Sequence, residues 1–448
     1  MEYKPQYQTK PKITPRLIIH GGAGNIKPST VPPERRAAFR AALLDIVSKT
    51  SAYMHSVTKS TESSPSALEI ATFAVRQLED NPLFNAGHGA VFTRDGINEL
   101  EASVMVSRGY AKRAVGVMGL RHVRNPILLA KALLEHGDAD LGATSIENSP
   151  DQCSGGGLDV PSAQGHTQIH GEAAEILARR NGLDMVEPGY FFTQRRWDEH
   201  MRALEREKEG SGLSTWSANE YLPQGTVGAI ALDEQGVVCC ATSTGGLTNK
   251  LTGRIGDTPV VGAGFWAEEW IEDGNPTGVV QGVYGMSRAS SQTSPMLSFP
   301  GELLGILADC LPTPFLYTPV DSRPRRKLTT TRSMAVSGTG NGDSFLRVAA
   351  ARTVGSIARF AAVPTSEALT RVTGPSGELQ KSAGSRWGRT GEGEGGIIGI
   401  EFVVVKDEDG GVVQTRSEIV QDFNCGGMLR AWIDDAGQPC FKAFRDES

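Results

Sequence analysis

The chain has 448 residues, enough for two or three domains of ordinary size or for one large α/β domain with insertions. Hydrophobic residues make up 39% and charged residues 21%, so a packed core is possible, and a net charge of −6 argues against a nucleic-acid partner. No run approaches ~18 uninterrupted apolar residues, which argues against a membrane span. Residues 1–16 lack the apolar stretch of a secretory signal, so a cytoplasmic protein is expected.

In chain order, Leu17 to His20 is a short apolar run leading into Gly21-Gly22-Ala23-Gly24, the pattern of a buried strand entering a tight glycine loop. Residues 34–54 have helical spacing. Ala67 to Leu78 repeats it, with Leu68, Ala71, Val75 and Leu78 on one face. Turn residues fill 80–89. Strands are predicted around 97–106 and 114–119, and a helix over Ile127 to Leu134. Four segments, 150–168, 205–225, 284–334 and 372–395, are rich in Ser, Gly, Pro or charge and read as surface insertions or linkers, for which mobility is expected. Val227 to Leu232, a turn at Asp233 to Gly236, and Val237 to Ala241 form a hairpin signal. Cys239 and Cys240 sit in that apolar run. With no CxxC pair among six cysteines, they read as packing residues on opposite strand faces. Trp266 and Trp270 are at helical spacing and read as a packing face. A helix is predicted over 344–361, a strand at Ile397 to Val405, a turn at Asp407 to Gly411 and a strand from Val412. Strands and helices in blocks predict an α+β layered fold.

The hairpin carries a chemical suggestion. With a four-residue turn, Leu232 faces Val237 and Thr226 lies opposite Ser243, beside Thr244, unless the register slips by one. A threonine hydroxyl needs a base, and a free α-amine titrating near pH 8 can supply it. Thr226 acquires that amine if the chain is cut before it. Gly225 offers little steric obstruction to attack by the Thr226 hydroxyl on the Gly225 carbonyl, and 205–225 reads as an exposed linker.

Several motifs occur in order: His20 to Gly24, Pro82-Leu83-Phe84-Asn85-Ala86-Gly87, Gly225-Thr226-Val227-Gly228-Ala229, Ala241 to Gly246, Asn249-Lys250, Gly253-Arg254-Ile255-Gly256-Asp257, Thr339-Gly340-Asn341-Gly342-Asp343 and Met428 to Trp432. Together the chain resembles the plant-type asparaginase and isoaspartyl peptidase family, over most of its length outside the insertions. The resemblance implies an N-terminal-nucleophile hydrolase, a four-layer αββα sandwich, cut into an α subunit (1–225) and a β subunit (226–448) that stay associated. Its working form would be a dimer of such processed pairs. It implies hydrolysis of L-asparagine to aspartate and ammonia, of β-aspartyl peptides, or of both. Thr226 would be the nucleophile, Thr244 the hydroxyl that polarises it, and Asn85 its support. The Thr339 hydroxyl and Gly340 N–H would form the oxyanion hole. Arg254 would clamp the substrate α-carboxylate and Asp257 its α-ammonium, with Gly342 lining the pocket. No cofactor is required. A structural sodium ion on backbone oxygens is implied, with Leu78, Glu79, Asn81, Phe84, Ala86 and His88 as its candidates.

The chain departs from the family at Asn341 and Asp343, at Asn424-Cys425-Gly426-Gly427-Met428, where the family shows Asn-Thr-x-Gly-Met, and in the length of 284–334. Taspase-like threonine endopeptidases and glycosylasparaginases usually carry Asp before the nucleophile, where this chain has Gly225. A non-catalytic binding or scaffolding member would have no chemical need of Thr226, Thr244, Arg254, Asp257 and Thr339 together. His166 and His170, with Glu172 and Glu175, have ligand-like spacing without an HExxH order. Gly391-x-Gly393-x-Gly395-Gly396 imitates a dinucleotide loop but precedes a strand, which reverses the required context.

Overall fold

The computed structural model describes residues 13–56, 63–107, 113–142, 162–209, 225–272 and 328–445. Strand β1 (Arg16–Gly24) keeps its pairing through the glycines that the sequence suggested as a loop. It is flanked by a strand on each side, and the irregularity is absorbed as a bulge between His20 and Gly22.

Helices α1 (Pro33–Met54) and α2 (Ala67–Glu79) follow. The start of α2 is set by a capping box: the Glu69 N–H donates to Ser66 Oγ, and the Ser66 N–H donates to the Glu69 carboxylate. Such a cap stabilises a helix by about 1 kcal/mol. Next come β2 (Leu100–Val106), β3 (Ala114–Leu120), α3 (Pro126–Gly142), β4 (Gln168–His170), α4 (Gly171–Arg180) and α5 (Gln194–Lys208). The predicted hairpin is β5 (Val227–Leu232) and β6 (Val238–Thr244). With β11 (Gly427–Ile433) and β12 (Pro439–Lys442), eight strands form one sheet in the order β12-β11-β1-β5-β6-β2-β3-β4.

The second sheet has the order β10-β9-β8-β7, from β7 (Phe265–Ile271), β8 (Thr329–Gly340), β9 (Gly395–Lys406) and β10 (Val412–Phe423). Trp266 and Trp270 therefore lie on a strand, where a spacing of four also keeps two side chains on one face. The predicted helix over 344–361 is two helices, α6 (Gly342–Val348) and α7 (Ala350–Phe360), broken at Ala349 with φ +45°. The break aims the first N–H groups of α7 at the second sheet's loop: Ala351 N–H donates to Ala263 O and Arg352 N–H to Gly262 O. Residues 372–395 contain the end of α8 (Thr365–Thr373), the short α9 (Glu378–Lys381), and a Glu392 carboxylate held by Arg386 and Arg347. Leu379 and Ala383 are buried there, so this glycine-rich stretch is folded onto its neighbours. Residues 150–161, 210–224 and 284–327 of the other three segments lie outside the described residues.

Three buried clusters explain the apolar strands. Leu17, Ile19, Ala229 and Ala231 face α1 to α3, whereas Ile18, Ile230 and Leu232 face the second sheet. Cys239 and Cys240 divide in the same way. With both faces covered, β5 and β6 read as continuous apolar runs rather than as alternations. On the far side of the second sheet, Trp270, Met334, Val336 and Ile397 pack with Val354 and Leu369 of α7 and α8. Among the described residues, no helix is long and apolar enough to cross a membrane.

Candidate active site

Thr226 is buried immediately ahead of β5. Val227, not Thr226, pairs with Ser243, and Leu232 pairs with Val238, so the hairpin is one residue out of the four-residue-turn register. The cause is Asp233. Its Oδ1 accepts the N–H groups of Gln235 (3.0 Å) and Val237 (2.9 Å), while its N–H donates to Val237 O, closing a longer loop. The same shift carries Thr226 toward Thr244. The Thr226 hydroxyl lies 3.4 Å from the Thr258 hydroxyl. Gly225 rests on β1, where a Cβ at 225 would come 2.3 Å from Gly22 Cα and 2.9 Å from Ala23 N. Close packing thus requires glycine there.

Thr244 Oγ1 accepts the Gly246 N–H at 3.0 Å. Asn85 clamps the turn that follows: its Nδ2 donates to Gly246 O (2.8 Å), its Oδ1 accepts Val91 N–H, and its backbone oxygen accepts Gly245 N–H. Thr339 Oγ1 accepts Ala23 N–H at 3.1 Å. Gly340, at φ +145°, has no room for a Cβ, which would meet Glu394 O at 2.4 Å.

Thr226, Thr244, Gly340, Gly342, Arg254 and Asp257 line one pocket, together with Glu101, Gly246, Leu247 and Gly256. Arg254 Nη2 is 3.2 Å from Asp343 Oδ2 in an ion pair, and among the described residues neither it nor the buried Asp257 Oδ2 has a hydrogen-bond partner. Gly342 separates these two groups: a Cβ there would be 2.6 Å from Asp257 Oδ1 and 3.1 Å from Arg254 Nη2. Burial pushes the Asp257 carboxyl up to about 7 against the pull of Arg254, with Glu101 and Asp343 adding to the rise. Behind the pocket, Glu101 accepts the Gly256 N–H (3.1 Å) and lies 3.6 Å from the buried Lys250 ammonium, whose pKa is lowered by burial. The pocket lining thus combines a guanidinium, two carboxyl groups and two threonine side chains.

In the loop from Leu78 to His88, the oxygens of Leu78, Asn81 and Ala86 each accept a backbone N–H, from Asn81, Phe84 and Gly89. Glu79 O and Phe84 O press on Gly87 and Gly89, where a Cβ would approach to 2.4 and 2.2 Å. The Glu79 side chain is also buried. Its Oε1 accepts Ser243 O–H (2.7 Å) and Ile127 N–H (3.1 Å), its Oε2 has no hydrogen-bond partner among the described residues, and burial pushes its pKa up to about 8. The ring of His88 packs on Tyr190 with centroids 4.9 Å apart.

Glu175 is occupied by the N–H groups of Arg121 and His122 and by the His122 ring, rather than by His166 or His170. Among the described residues, no group of three or more His, Cys, Asp or Glu is placed to hold a metal ion. Sequence reasoning missed Thr258, Glu101 and His20. Thr258 adjoins Asp257 and His20 opens a glycine motif, but neither position carries a local signal of what it will touch across the fold.

The model of the family described as Asparaginase matches residues 13–144 and 159–279. The isoaspartyl peptidase of Escherichia coli (strain K12) is 31% identical over 434 residues, covering 96% of each chain. The plant-type L-asparaginase of Pyrococcus furiosus is 32% identical over 284 residues, 62% of this chain and 78% of the relative. The isoaspartyl peptidase/L-asparaginase of Xenopus laevis is 32% identical over 268 residues, 59% of this chain and 71% of the relative.

Proposed function

This chain belongs to the asparaginase family, and from that premise we propose that it is a self-processing threonine amidohydrolase acting on L-asparagine and β-aspartyl peptides. The observation that carries the reading is the pocket itself, in whose lining Thr226 is joined by Arg254 and by Asp257, whose Nη2 and Oδ2 atoms have no hydrogen-bond partner among the described residues.

In the uncut chain, the Thr226 hydroxyl attacks the Gly225 carbonyl. The C–N bond breaks, the proton passes to the Thr226 nitrogen, and an ester forms. Water hydrolyses that ester, leaving Gly225 as a carboxylate and Thr226 with a free amine. The amine then takes the proton of its own hydroxyl as that oxygen attacks the substrate side-chain carbonyl. Thr244 polarises the nucleophile, and the Thr339 hydroxyl with Gly340 N–H stabilises the oxyanion. For this, the Thr339 hydroxyl donates to the oxyanion while it continues to accept from Ala23. Ammonia or the amine of a peptide leaves with the proton, and water, deprotonated by the Thr226 amine, releases aspartate. Arg254 and Asp257 hold the α-carboxylate and α-ammonium, which selects an aspartyl unit whose α end is free. Asn85 acts indirectly, by fixing the turn after Thr244.

The three buried clusters support a four-layer αββα sandwich of the N-terminal-nucleophile type. The fragments 1–225 and 226–448 would remain one folding unit, since β1 pairs with both β5 and β11. We extend the reading to a dimer of such units. We extend it also to a structural sodium ion on backbone oxygens of the loop from Leu78 to His88, since a carbonyl that accepts one N–H retains a second lone pair. The ion would order the loop behind Asn85.

The test is intact mass under denaturing conditions for wild type and Thr226→Ala after incubation at neutral pH, followed by assays with asparagine and β-Asp-Leu. Fragments meeting between Gly225 and Thr226 in wild type alone are expected, with ammonia or leucine released. An uncut chain in both samples would remove the amine base and with it the mechanism.

A further inference from the structure

Thr226 lies outside the strand ladder. Its neighbour Val227 is the first residue paired to β6, and Gly228 is the first paired to β1, opposite His20. Once the bond to Gly225 is cut, Thr226 becomes a chain end with no covalent tether on one side, and chain ends fray unless they are tied down. Yet its amine and its hydroxyl must both hold a fixed direction.

The tie is visible beneath it. His20 Nδ1 lies 3.0 Å from Thr226 O, His20 Nε2 lies 2.9 Å from Ser337 Oγ, and Ser337 Oγ lies 2.8 Å from Thr242 Oγ1. All three side chains are fully buried. A carbonyl only accepts, so Nδ1 carries the hydrogen. Burial holds the ring neutral, with a pKa lowered to about 3, so Nε2 must accept, and Ser337 is its donor. Ser337 then accepts from Thr242. Every proton in the chain has one place. The cluster also reaches the other site hydroxyls, because Thr242 is two residues before Thr244 and Ser337 two before Thr339, on the same strand faces. Room for it exists because position 228 is glycine: a Cβ there would stand 2.3 Å from Ser337 Oγ and 2.4 Å from His20 Nε2.

We propose that His20 is a positioning residue for the nucleophile, its Nδ1–H holding the Thr226 carbonyl while Ser337 and Thr242 fix the ring's tautomer. This rests on the reading of Thr226 given above. It assigns His20 no contact with substrate and no proton transfer.

The test compares full-length wild type with His20→Asn, His20→Gln and Ser337→Ala. Asparagine places an amide N–H near the position of Nδ1, and glutamine places one near Nε2. His20→Gln is expected to lower both the self-cleavage rate and kcat by about 10- to 100-fold at unchanged KM, the scale of a misplaced reacting group. His20→Asn is expected to recover most of that loss. Ser337→Ala, a smaller change that tests the proposal should the His20 variants fail to fold, is expected to lower kcat by about three- to tenfold. Equal loss in His20→Asn and His20→Gln, or wild-type kcat in Ser337→Ala or His20→Gln, would overturn the proposal. Nitrogen NMR of the His20 ring in wild type reads the tautomer independently of activity, and an Nε2–H form would overturn it as well. If wild type shows the Nδ1–H form but neither cleaves nor hydrolyses, the functional reading fails while the anchor of Thr226 stands.

Discussion

Gly342→Ala tests the substrate end of the pocket by a single methyl group. Gly342 begins α6 without a positive φ, so alanine is compatible with the backbone and a better helix former by about 1 kcal/mol. The new Cβ would lie 2.6 Å from Asp257 Oδ1, where ordinary contact begins at 3.4 Å, so the carboxylate or the α6 backbone must yield by about 0.8 Å. Arg254 Nη2, at 3.1 Å, is crowded as well. A displacement of that order at a substrate-orienting group costs up to about 100-fold. The expected result is a fall in kcat/KM for asparagine of about 10- to 100-fold, carried mostly by KM. Self-cleavage should proceed at the wild-type rate, because attack on the Gly225 carbonyl needs neither Arg254 nor Asp257. Steady-state kinetics, intact mass and a thermal melt on one preparation make the comparison. A kcat/KM within about twofold of wild type would refute the placement of substrate between Arg254 and Asp257. Loss of self-cleavage in parallel would show that the methyl group disturbs Thr226 instead.

The pocket's charge makes KM pH-dependent. Asp257 is neutral below its raised pKa of about 7 and charged above it, so KM for asparagine should fall as pH rises through 7 and then level. Asp257→Asn should have a higher, flat KM, and a flat wild-type profile would contradict the assignment. Glu79 supplies a stability test. Its folded-state pKa of about 8 lies above the unfolded value, so its contribution is fully present below about pH 4.5 and is lost as pH rises toward 8. Glu79→Gln lacks that loss, and its melting temperature should gain on wild type between pH 5 and pH 8, whereas a constant difference would argue against the shift. Thr258→Val removes the hydroxyl 3.4 Å from Thr226 Oγ1. It should lower kcat by about three- to tenfold with little change in melting temperature, and an unchanged kcat would show that this hydroxyl does not bear on the nucleophile.

Thr226, Thr244, Arg254, Asp257, Gly340 and Gly342, which line one pocket, were singled out in sequence because each sits in a short motif whose neighbours are glycines or hydroxyls. The spacing of Arg254 and Asp257 and the hairpin joining Thr226 to Thr244 are local, as are the helical period of α2 and the turn at Asp407 to Gly411. Local chain stiffness and side-chain period are enough to specify such features. Tertiary structure decided the rest. The register of the β5–β6 hairpin depended on which N–H groups the Asp233 carboxylate would accept, a one-residue difference that periodicity cannot see. Trp266 and Trp270 share a face in a helix and in a strand alike, and only pairing with β8 settled which. His20 lies 206 residues from Thr226 and 317 from Ser337, and it meets them because β1 pairs with β5 while the second sheet packs across both. Burial between two sheets, which no single segment encodes, removed the water that would otherwise solvate that ring and left its nitrogens these two partners among the described residues.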